Sequence, residues 1–171
     1  MAIEQTLVLI KPDGLKRNLT GLVLDRLDAA GLTLMGARMV RVTEALAKEH
    51  YKELAGKPFF PNLIRYIRGE FHDLKYNQVL ALVYQGENAV AVTRKVAGAT
   101  NPEEAAPNTV RGSFGRVTTK GQFENVMHAS GTPAEAEREV KLWFSPDELL
   151  EPLYPTRAAT NGRVAGAKAW S

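Results

Sequence analysis

The stretch Thr6-Leu-Val-Leu-Ile-Lys-Pro-Asp-Gly14 predicts the first strand of the fold and the turn that ends it. Its apolar run, Leu7–Ile10, has the length of a buried strand, and Pro-Asp-Gly is typical of a turn. The run is too short for a signal-peptide core or a membrane span, and no other run approaches about 20 apolar residues. We therefore expect a protein without a membrane segment, located in the cytoplasm.

Strand and helix patterns alternate outward from this first strand. Three more strands are expected, at Leu32–Val42, Val79–Tyr84 and Glu124–His128. Helices are expected between these strands, where apolar residues recur with helical spacing: from Thr20 to Gly31, from the cap Thr43 to about Leu54, at Phe59–Arg68, at Asn88–Ala97, and from the capping box Thr132-Pro-Ala-Glu135 onward.

The resulting order is β-α-β-α-α-β-α-loop-β-α, which contains a split βαβ arrangement once the second and third helices are set aside. The sequence thus predicts an α+β fold of the ferredoxin-like βαββαβ type: a four-stranded antiparallel sheet with helices packed mostly on one face, plus extra helices. Residues 99–124 are rich in Gly, Pro, Thr and Asn and show no sustained period, which predicts a long functional loop.

Composition narrows the possible chemistry. The chain has 171 residues, enough for a single domain. It contains no cysteine, so disulfides, thiolate nucleophiles and cysteine-bound metals are excluded. It has only three histidines, His50, His72 and His128, so a site with several histidine ligands would need nearly all of them.

The positive charge of the chain is concentrated in its last residues. The formal net charge is +3, and residues 155–171 contain Arg157, Arg163, Lys168 and no acid. Residues 1–154 then hold 19 basic and 19 acidic side chains, and this balance argues against nucleic acid as a partner. We expect one domain at 1–154 and a basic, Ala/Gly-rich tail at 155–171, either a flexible arm or a segment docked on a neighbouring subunit.

His128 is the most informative histidine. It lies where a strand ends, before a well-capped helix, and imidazole is a good nucleophile near neutral pH. Glu139, two turns into that helix, could orient the ring and stabilise its cationic form. The alternatives are a strand-end histidine bonded to the backbone and an exposed surface glutamate. We expect the other two histidines, His50 and His72, to be exposed.

Three cations fall near predicted loop ends: Lys11, Arg94 and Arg111. Converging on one cleft, they would suit a polyphosphate, since arginine binds phosphate in bidentate fashion and lysine acts as a point charge. Taken singly, each is most often a solvated surface charge. Phe59 could stack on a base, or it could belong to a buried aromatic pair with Phe60.

Taken together and in order, these pieces closely resemble the nucleoside diphosphate kinase family over about residues 3–150. The motifs that carry the resemblance are Thr6–Gly14, His50-Tyr51, Lys57-Pro-Phe-Phe-Pro61, Gly98-Ala-Thr-Asn-Pro102, Thr109-Val-Arg-Gly112, Asn125-Val-Met-His-Ala-Ser130 and Leu142-Trp-Phe144. The resemblance implies a ping-pong transfer of a γ-phosphoryl group from a nucleoside triphosphate to a nucleoside diphosphate through a phosphohistidine.

The resemblance also assigns roles. His128 would be the nucleophile, Glu139 and Ser130 would hold its ring, Tyr51 would lie beside it, and Lys11 would serve sugar and phosphate. The other implied substrate-binding residues are Phe59 on the base, Leu63, Asn125 at the sugar, and Arg94, Thr100 and Arg111 at the phosphates. Magnesium is the implied cofactor, and it would be held mainly by the nucleotide phosphates rather than by a dedicated set of protein ligands.

The chain departs from the family pattern at three places. Gly131 stands where many relatives carry an acid that reaches the metal through water. The stretches 69–77 and 112–124 are longer than in compact relatives, and the tail after Leu150 lacks the usual ending. The family forms closed homo-oligomers, so we expect a hexamer, with a tetramer second. The alternative function is a nucleotide- or nucleic-acid-binding module of the same fold without catalysis.

Overall fold

The computed structural model describes residues 2–72, 78–159 and 167–171. Its strands are β1 (Ile3–Ile10), β2 (Thr33–Arg41), β3 (Gln78–Glu87), β4 (Arg116–Val117), β5 (Phe123–Glu124), β6 (Met127–Ala129), β7 (Thr156–Ala158) and β8 (Lys168–Trp170). Four of them form an antiparallel sheet in the order β2-β3-β1-β6. The pairs β4–β5 and β7–β8 form two small hairpins.

In the described residues, seven α-helices connect and cover the strands. They are α1 (Pro12–Lys16), α2 (Thr20–Asp28), α3 (Glu44–His50), α4 (Phe60–Ile67), α5 (Ala89–Ala97), α6 (Val110–Phe114) and α7 (Pro133–Trp143). Short 3-10 helices lie at Lys52–Leu54, Pro102–Glu104 and Pro146–Glu148. Within the described ranges, no helix has the length and hydropathy needed to cross a membrane.

The predicted fold class and element order are confirmed by this architecture. The strand prediction at the N-terminus is short by three residues, since β1 already begins at Ile3. The turn predicted at Pro12-Asp13-Gly14 is part of the one-turn helix α1, with Pro12 at its start. Thr132 caps α7 as expected, because its Oγ1 accepts a hydrogen bond from the Glu135 amide at 3.2 Å.

Successive residues of β1 enter two separate hydrophobic clusters. Leu7 and Leu9 pack with residues of α3, α4 and α7, whereas Val8 and Ile10 pack with residues of α2, α5 and α6. Neighbouring residues of a strand point to opposite faces, so helices cover both faces of the sheet. The expectation that they lie mostly on one face is wrong, and the continuous apolar run of β1 is what a strand buried on both faces requires.

Residues 99–124 are more structured than the predicted long loop. They contain a 3-10 helix, α6 and the hairpin β4–β5. α6 is capped by Thr109, whose Oγ1 accepts a hydrogen bond from the Gly112 amide at 3.1 Å. A five-residue helix and two-residue strands are too short to produce a detectable period, which is why the pattern did not predict them.

The strand predicted at Glu124–His128 is divided in two. Glu124 pairs with Arg116 in the β4–β5 hairpin, and the sheet strand β6 begins only at Met127. Between them Val126 has a φ of 68°. This left-handed backbone is rare for a β-branched residue and takes the chain out of one strand before it enters the next.

The described part of the tail packs against the domain, so the expectation of a flexible arm is wrong for these residues. β7 and β8 pair with each other, and Trp170 packs on the first hydrophobic cluster. The Trp170 indole Nε1 donates a hydrogen bond to the Phe144 carbonyl at 2.7 Å, and the Lys168 amide donates to the Asp147 carboxylate at 2.8 Å. The tail therefore covers the end of α7.

Replacing Trp170 with alanine tests this docking. Trp170→Ala removes a partly buried ring and its hydrogen bond, so we expect it to lower the free energy of unfolding by about 1–3 kcal/mol. Chemical denaturation measures the change, with Lys168→Ala on the same strand as a control for an exposed side chain. Equal stability of Trp170→Ala and the wild type would show that the tail does not dock.

Candidate functional site

A cavity of about 640 Å³ lies beside β6. It is lined by residues that lie in or next to β1, α3, α4, α5, α6, β6 and α7. Of the predicted site residues, ten line the cavity: Lys11, Tyr51, Phe59, Leu63, Arg94, Thr100, Arg111, Asn125, His128 and Glu139. The eleventh, Ser130, lies directly behind them in contact with Glu139.

The sheet register places His128 on the face covered by α7. His128 pairs with Leu9 of β1, and its neighbours Met127 and Ala129 belong to the cluster on the opposite face. Alternation along the strand therefore turns the imidazole toward α7 and the cavity. Its side chain is 15% exposed, so the ring is held in the wall but remains open to a ligand.

The Glu139 carboxylate holds this ring. Its Oε2 accepts hydrogen bonds from His128 Nε2 at 2.8 Å and from the Ser130 hydroxyl at 2.7 Å. Ser130 Oγ in turn accepts the Leu7 amide at 3.1 Å, which ties the group to β1. Glu139 is 3% exposed, so the surface-glutamate alternative is wrong.

The charge state of Glu139 follows from these contacts. Burial acts to raise the pKa of the Glu139 carboxyl, but the charge of His128, the hydrogen bonds from His128 and Ser130, and Arg138 together lower it. The group is thus a carboxylate at neutral pH. Because a carboxylate can only accept, the His128 Nε2 atom that faces it carries a proton, so in the neutral form of the ring the lone pair is on Nδ1.

His50 is buried behind His128, and the expectation that it is exposed is wrong. It is 3% exposed, and its ring centroid lies 4.6 Å from that of His128. The Trp143 indole donates a hydrogen bond to His50 Nδ1 at 3.2 Å. Burial, followed by the charges of His128, Arg138 and Lys11, lowers the pKa of His50 well below its usual value, so its ring stays neutral.

The signal for His50 was present in the sequence. Ala47 and His50 are three residues apart on α3, and both are buried on the same helix face. The charged residues around them suggested a surface helix. The apolar spacing was the better indicator, because a short amphipathic helix buries only one stripe.

Hydrogen bonds fix the side chains of Lys11 and Arg111 where they enter the cavity. Lys11 Nζ donates to Asn125 Oδ1 at 2.7 Å, and Asn125 Nδ2 donates to the Thr100 carbonyl at 2.9 Å. Arg111, 5% exposed, lies on α6 rather than in a loop and donates to the carbonyls of Gly98 and Met127 at 2.8 and 3.1 Å. These hydrogen bonds therefore orient the Arg111 guanidinium before a ligand binds.

These cations lower one another's proton affinity. Burial, with the charge of Arg111, lowers the pKa of Lys11 to about 7, although Asp13 opposes the shift. Burial, with Arg94, lowers the pKa of Arg111 to about 10, so Arg111 stays charged at neutral pH. A cavity with concentrated positive charge is suited to a polyanionic ligand.

The Tyr51 hydroxyl is a further donor at the cavity. It is buried and has no hydrogen-bond partner among the residues that the structure describes. Burial and the charge of Glu139 raise the pKa of Tyr51, so it remains a neutral phenol that can donate a hydrogen bond to a ligand atom. The Arg111 Nε atom is likewise buried and unpaired within the described ranges. Unpaired buried donors at a cavity indicate groups that a ligand satisfies.

Asp13 is a structural residue of the site that sequence reasoning missed. Its Oδ1 accepts a hydrogen bond from the Tyr66 hydroxyl at 2.5 Å, and its Oδ2 accepts the Val126 amide at 2.9 Å. The Val126 carbonyl accepts the Lys11 amide at 2.8 Å. Asp13 thus joins the end of β1 to α4 and to the segment that enters β6, a role that its turn-forming motif did not reveal.

The outer part of the cavity is apolar. Phe59 and Leu63, one turn apart at the start of α4, line it, and Phe59 is 52% exposed. The alternative that Phe59 belongs to a buried aromatic pair is wrong, because Phe60 alone packs against the first hydrophobic cluster. A planar ring at the mouth of a cationic cavity is suited to stacking on an aromatic ligand.

His72 is also buried, contrary to expectation. It is 5% exposed, and its Nδ1 lies 3.7 Å from Glu124 Oε1. Its ring contacts Tyr66, with centroids 5.6 Å apart. His72 lies outside the cavity lining and supports the segment before Asn125 rather than the reacting groups.

Comparisons with known proteins point to one family. A family model for nucleoside diphosphate kinase matches residues 4–149. A relative of that name from Bacillus licheniformis is 45% identical over 149 residues, which are 87% of this chain and 93% of the relative.

Two solved structures extend the likeness to the fold. A nucleoside diphosphate kinase from Halobacterium salinarum, in complex with CDP, is 37% identical with a TM-score of 0.78, covering 88% of this chain and 93% of that chain. A nucleoside-diphosphate kinase from Borrelia burgdorferi, a transition state mimic with bound vanadate and ADP, is 34% identical with a TM-score of 0.77, covering 88% of this chain and 92% of that chain.

The lowered pKa of Lys11 can be measured directly. In the ligand-free protein we expect Lys11 to titrate near pH 7 and to be charged below that pH, because burial and Arg111 disfavour its ammonium form. NMR of 13C-labelled lysine follows the shift of each Cε with pH, and Lys11→Met identifies the signal. Titration of every lysine above about pH 10 would contradict the burial argument.

Proposed function

Since the chain belongs to the nucleoside diphosphate kinase family, we propose that it transfers the γ-phosphoryl group of a nucleoside triphosphate to a nucleoside diphosphate through a phosphohistidine on His128. One observation carries the proposal: the 2.8 Å hydrogen bond from His128 Nε2 to Glu139 at the wall of a cavity lined by three cations. A nucleotide phosphotransferase needs these parts, a nucleophile with a fixed tautomer and compensating charge.

The first half-reaction uses the free lone pair of His128. Nδ1 attacks the γ-phosphorus while the bond from that phosphorus to the β-phosphate oxygen breaks, and the nucleoside diphosphate leaves. No proton moves, because Nε2 already carries the hydrogen that is donated to Glu139. The ring becomes cationic in this step, and the Glu139 carboxylate stabilises that charge.

The second half-reaction reverses the first with another nucleotide. A β-phosphate oxygen of the incoming diphosphate attacks the phosphorus, the bond to Nδ1 breaks, and His128 returns to the neutral ring. His50 supports both steps as a neutral neighbour, because a second cationic imidazole 4.6 Å away would oppose formation of the first.

We assign the phosphates to the cationic part of the cavity. Arg94 and Arg111 would hold the β-phosphate and the transferring group with Thr100, and Lys11 would bridge phosphate and sugar. The Tyr51 hydroxyl, buried without a partner within the described part of the chain, would donate to a ligand oxygen. Such preorganised donors supply most of the stabilisation in phosphoryl transfer.

We assign the sugar to Asn125 and Lys11, and the base to Phe59 with Leu63. The exposed Phe59 ring offers a flat surface without hydrogen-bonding groups. Stacking of this kind accepts every common base, since each has a π-face. Acceptance of several nucleotides follows from this contact.

Magnesium is proposed as the cofactor, held by the phosphates of the nucleotide. The described residues include one group with ligand atoms within 4.8 Å of one another, namely His50, His128 and Glu139. This group does not suit magnesium, which prefers oxygen ligands, and its atoms already bond to one another and to Trp143. When bound with the nucleotide, the ion would neutralise phosphate charge; no protein ligand is assigned to it.

A closed homo-oligomer is proposed as well, a hexamer first and a tetramer second. β2 lies at an edge of the sheet, and on it Leu34 and Met39 are 38% and 51% exposed. An edge strand with exposed apolar side chains favours pairing with another copy of the chain. Location in the cytoplasm remains a prediction from the sequence.

His128→Ala tests the proposed nucleophile. With γ-labelled ATP, we expect the wild type to acquire a base-stable, acid-labile phosphate and the variant to acquire none. Transfer to a diphosphate should fall by at least about 10⁴-fold. The variant should melt like the wild type, because the ring fills the cavity wall and not a core. Undiminished transfer would overturn the mechanism, and an unlabelled wild type would favour a binding module without catalysis.

Glu139→Gln tests the carboxylate behind the ring. An amide keeps the shape but cannot compensate the cationic ring, so we expect phosphorylation to slow by about 100-fold or more, with nucleotide affinity near that of the wild type. Rapid-quench kinetics and calorimetry separate the two quantities. Glu137→Gln is the matched control on the same helix, since Glu137 pairs with Lys141. Lost affinity with an unchanged rate would make Glu139 a binding residue.

A further inference from the structure

A second exposed phenylalanine lines the cavity besides Phe59. Phe123 is 36% exposed and shares the cavity with His128 and Phe59. The third exposed phenylalanine, Phe71, is 40% exposed but does not line this cavity, and its ring lies beneath Arg65. Exposed aromatic rings carry an energetic cost in water, so two of them at one cavity call for a ligand that covers them.

The β4–β5 hairpin determines where Phe123 lies. Phe123 pairs with Val117, and the turn between them is closed by a hydrogen bond from the Thr118 amide to the Gln122 carbonyl at 2.9 Å. Gly121 permits this tight turn with a φ of 73°. The hairpin lies in the stretch 112–124, which the sequence identified as longer than in compact members of the family.

A buried carboxylate anchors the hairpin. Glu124, next to Phe123, is 6% exposed and accepts a hydrogen bond from Arg116 Nε at 2.5 Å. On its other side Glu124 Oε1 lies 3.7 Å from His72 Nδ1. Phe123 is therefore presented by a fixed strand, and little conformational entropy is lost when a ligand contacts it.

Both phenylalanines share the cavity with the Lys11–Asn125 contact and are more exposed than its two members, which are 6% and 3% exposed. Phe123 is two residues before Asn125, at most about 7 Å along an extended chain. The Lys11 ammonium lies 5.6 Å from the centre of the Tyr66 ring. Phe59 comes two turns before Tyr66, which corresponds to about 10 Å along the axis of α4. The two rings thus line the cavity from separate elements, the start of α4 and β5, and they are more open to solvent than the residues assigned to the sugar.

We propose that Phe123 is a second base-stacking residue, opposite Phe59, and that this two-sided contact makes the site favour purine over pyrimidine nucleotides. The inference rests on the proposed function, because it places the phosphates at the cations and so the base at the phenylalanines. A bicyclic purine covers more of both rings than a pyrimidine does, so it gains more from each face. All common bases still bind, but with graded affinity.

The test compares nucleotides with a ligand that has no base. Calorimetry measures binding of ADP, CDP and inorganic triphosphate to the full-length wild type and to Phe123→Ala. We expect ADP binding to weaken by between about fivefold and about 100-fold, with a loss for CDP at least about twofold smaller. Triphosphate should bind within about twofold of the wild type, because it contacts only the cations.

Two further variants control this experiment. Phe71→Ala removes an equally exposed ring elsewhere, and it should bind all three ligands like the wild type. Phe123→Trp replaces the ring with a larger one, so it should bind ADP at least as tightly as the wild type. If Phe123→Ala retains wild-type ADP affinity, or loses ADP and triphosphate equally, the stacking role is overturned.

Labelling of the same proteins separates this inference from the proposed function. A wild type that acquires phosphate from γ-labelled ATP upholds the function, whatever Phe123→Ala does to affinity. A labelled wild type together with unchanged ADP binding by Phe123→Ala overturns only the stacking role. An unlabelled wild type overturns the function, and with it the placement of the base on which the stacking role rests.

Discussion

The site depends on a buried carboxylate that holds the backbone in an unfavourable conformation. Val126 has a φ of 68° immediately before the strand that carries His128, and such backbone costs on the order of 1–3 kcal/mol. Asp13 compensates by accepting the Val126 amide at 2.9 Å and the Tyr66 hydroxyl at 2.5 Å. One side chain thereby fixes the turn after β1, the inner end of α4 and the entry to β6.

The consequences of this constraint extend in both directions along the chain. Before Val126, Asn125 is placed on Lys11 and Phe123 at the outer cavity; after it, His128 is placed opposite Leu9 and against Glu139. The reacting end and the binding end are therefore parts of one rigid unit. Positioning of this kind is what phosphoryl transfer demands, because the chemistry itself needs little more than alignment and charge.

The charges that line the cavity are compensated only when a polyanionic ligand is bound. Burial and neighbouring cations lower the pKa of Lys11 to about 7 and that of Arg111 to about 10, so positive charge in the cavity is unfavourable without a compensating anion. Because His50 is neutral and Glu139 is ionised, the surroundings of His128 stabilise the positive charge that its ring gains during transfer. A bound polyphosphate would relieve the repulsion among the cations, which favours occupancy.

Local patterns predicted the strands, the long helices and the candidate pair His128 and Glu139, because these depend on apolar periodicity and capping. The burial of His50 was missed although its spacing from Ala47 indicated it. The burial of His72 was missed because it results from a contact with Glu124 that is distant in sequence. The five-residue α6 and the β4–β5 hairpin are too short to leave a period. The role of Asp13 depends on contacts with Tyr66 and Val126 that are distant in sequence and are visible only in the structure. The enzyme family was identified from the order of its motifs and not from physical patterns.

The most direct test of the account is the position of the phosphate on the histidine ring. Because Nε2 donates to Glu139, the proton and the phosphoryl group cannot share that atom, and the account predicts a phosphate on Nδ1 of His128. The protein is phosphorylated with ATP, and 31P and 15N NMR identify the modified residue and nitrogen. Phosphorus coupled to Nδ1 of His128 is the predicted result; phosphorus on Nε2, or on any other residue, would contradict it.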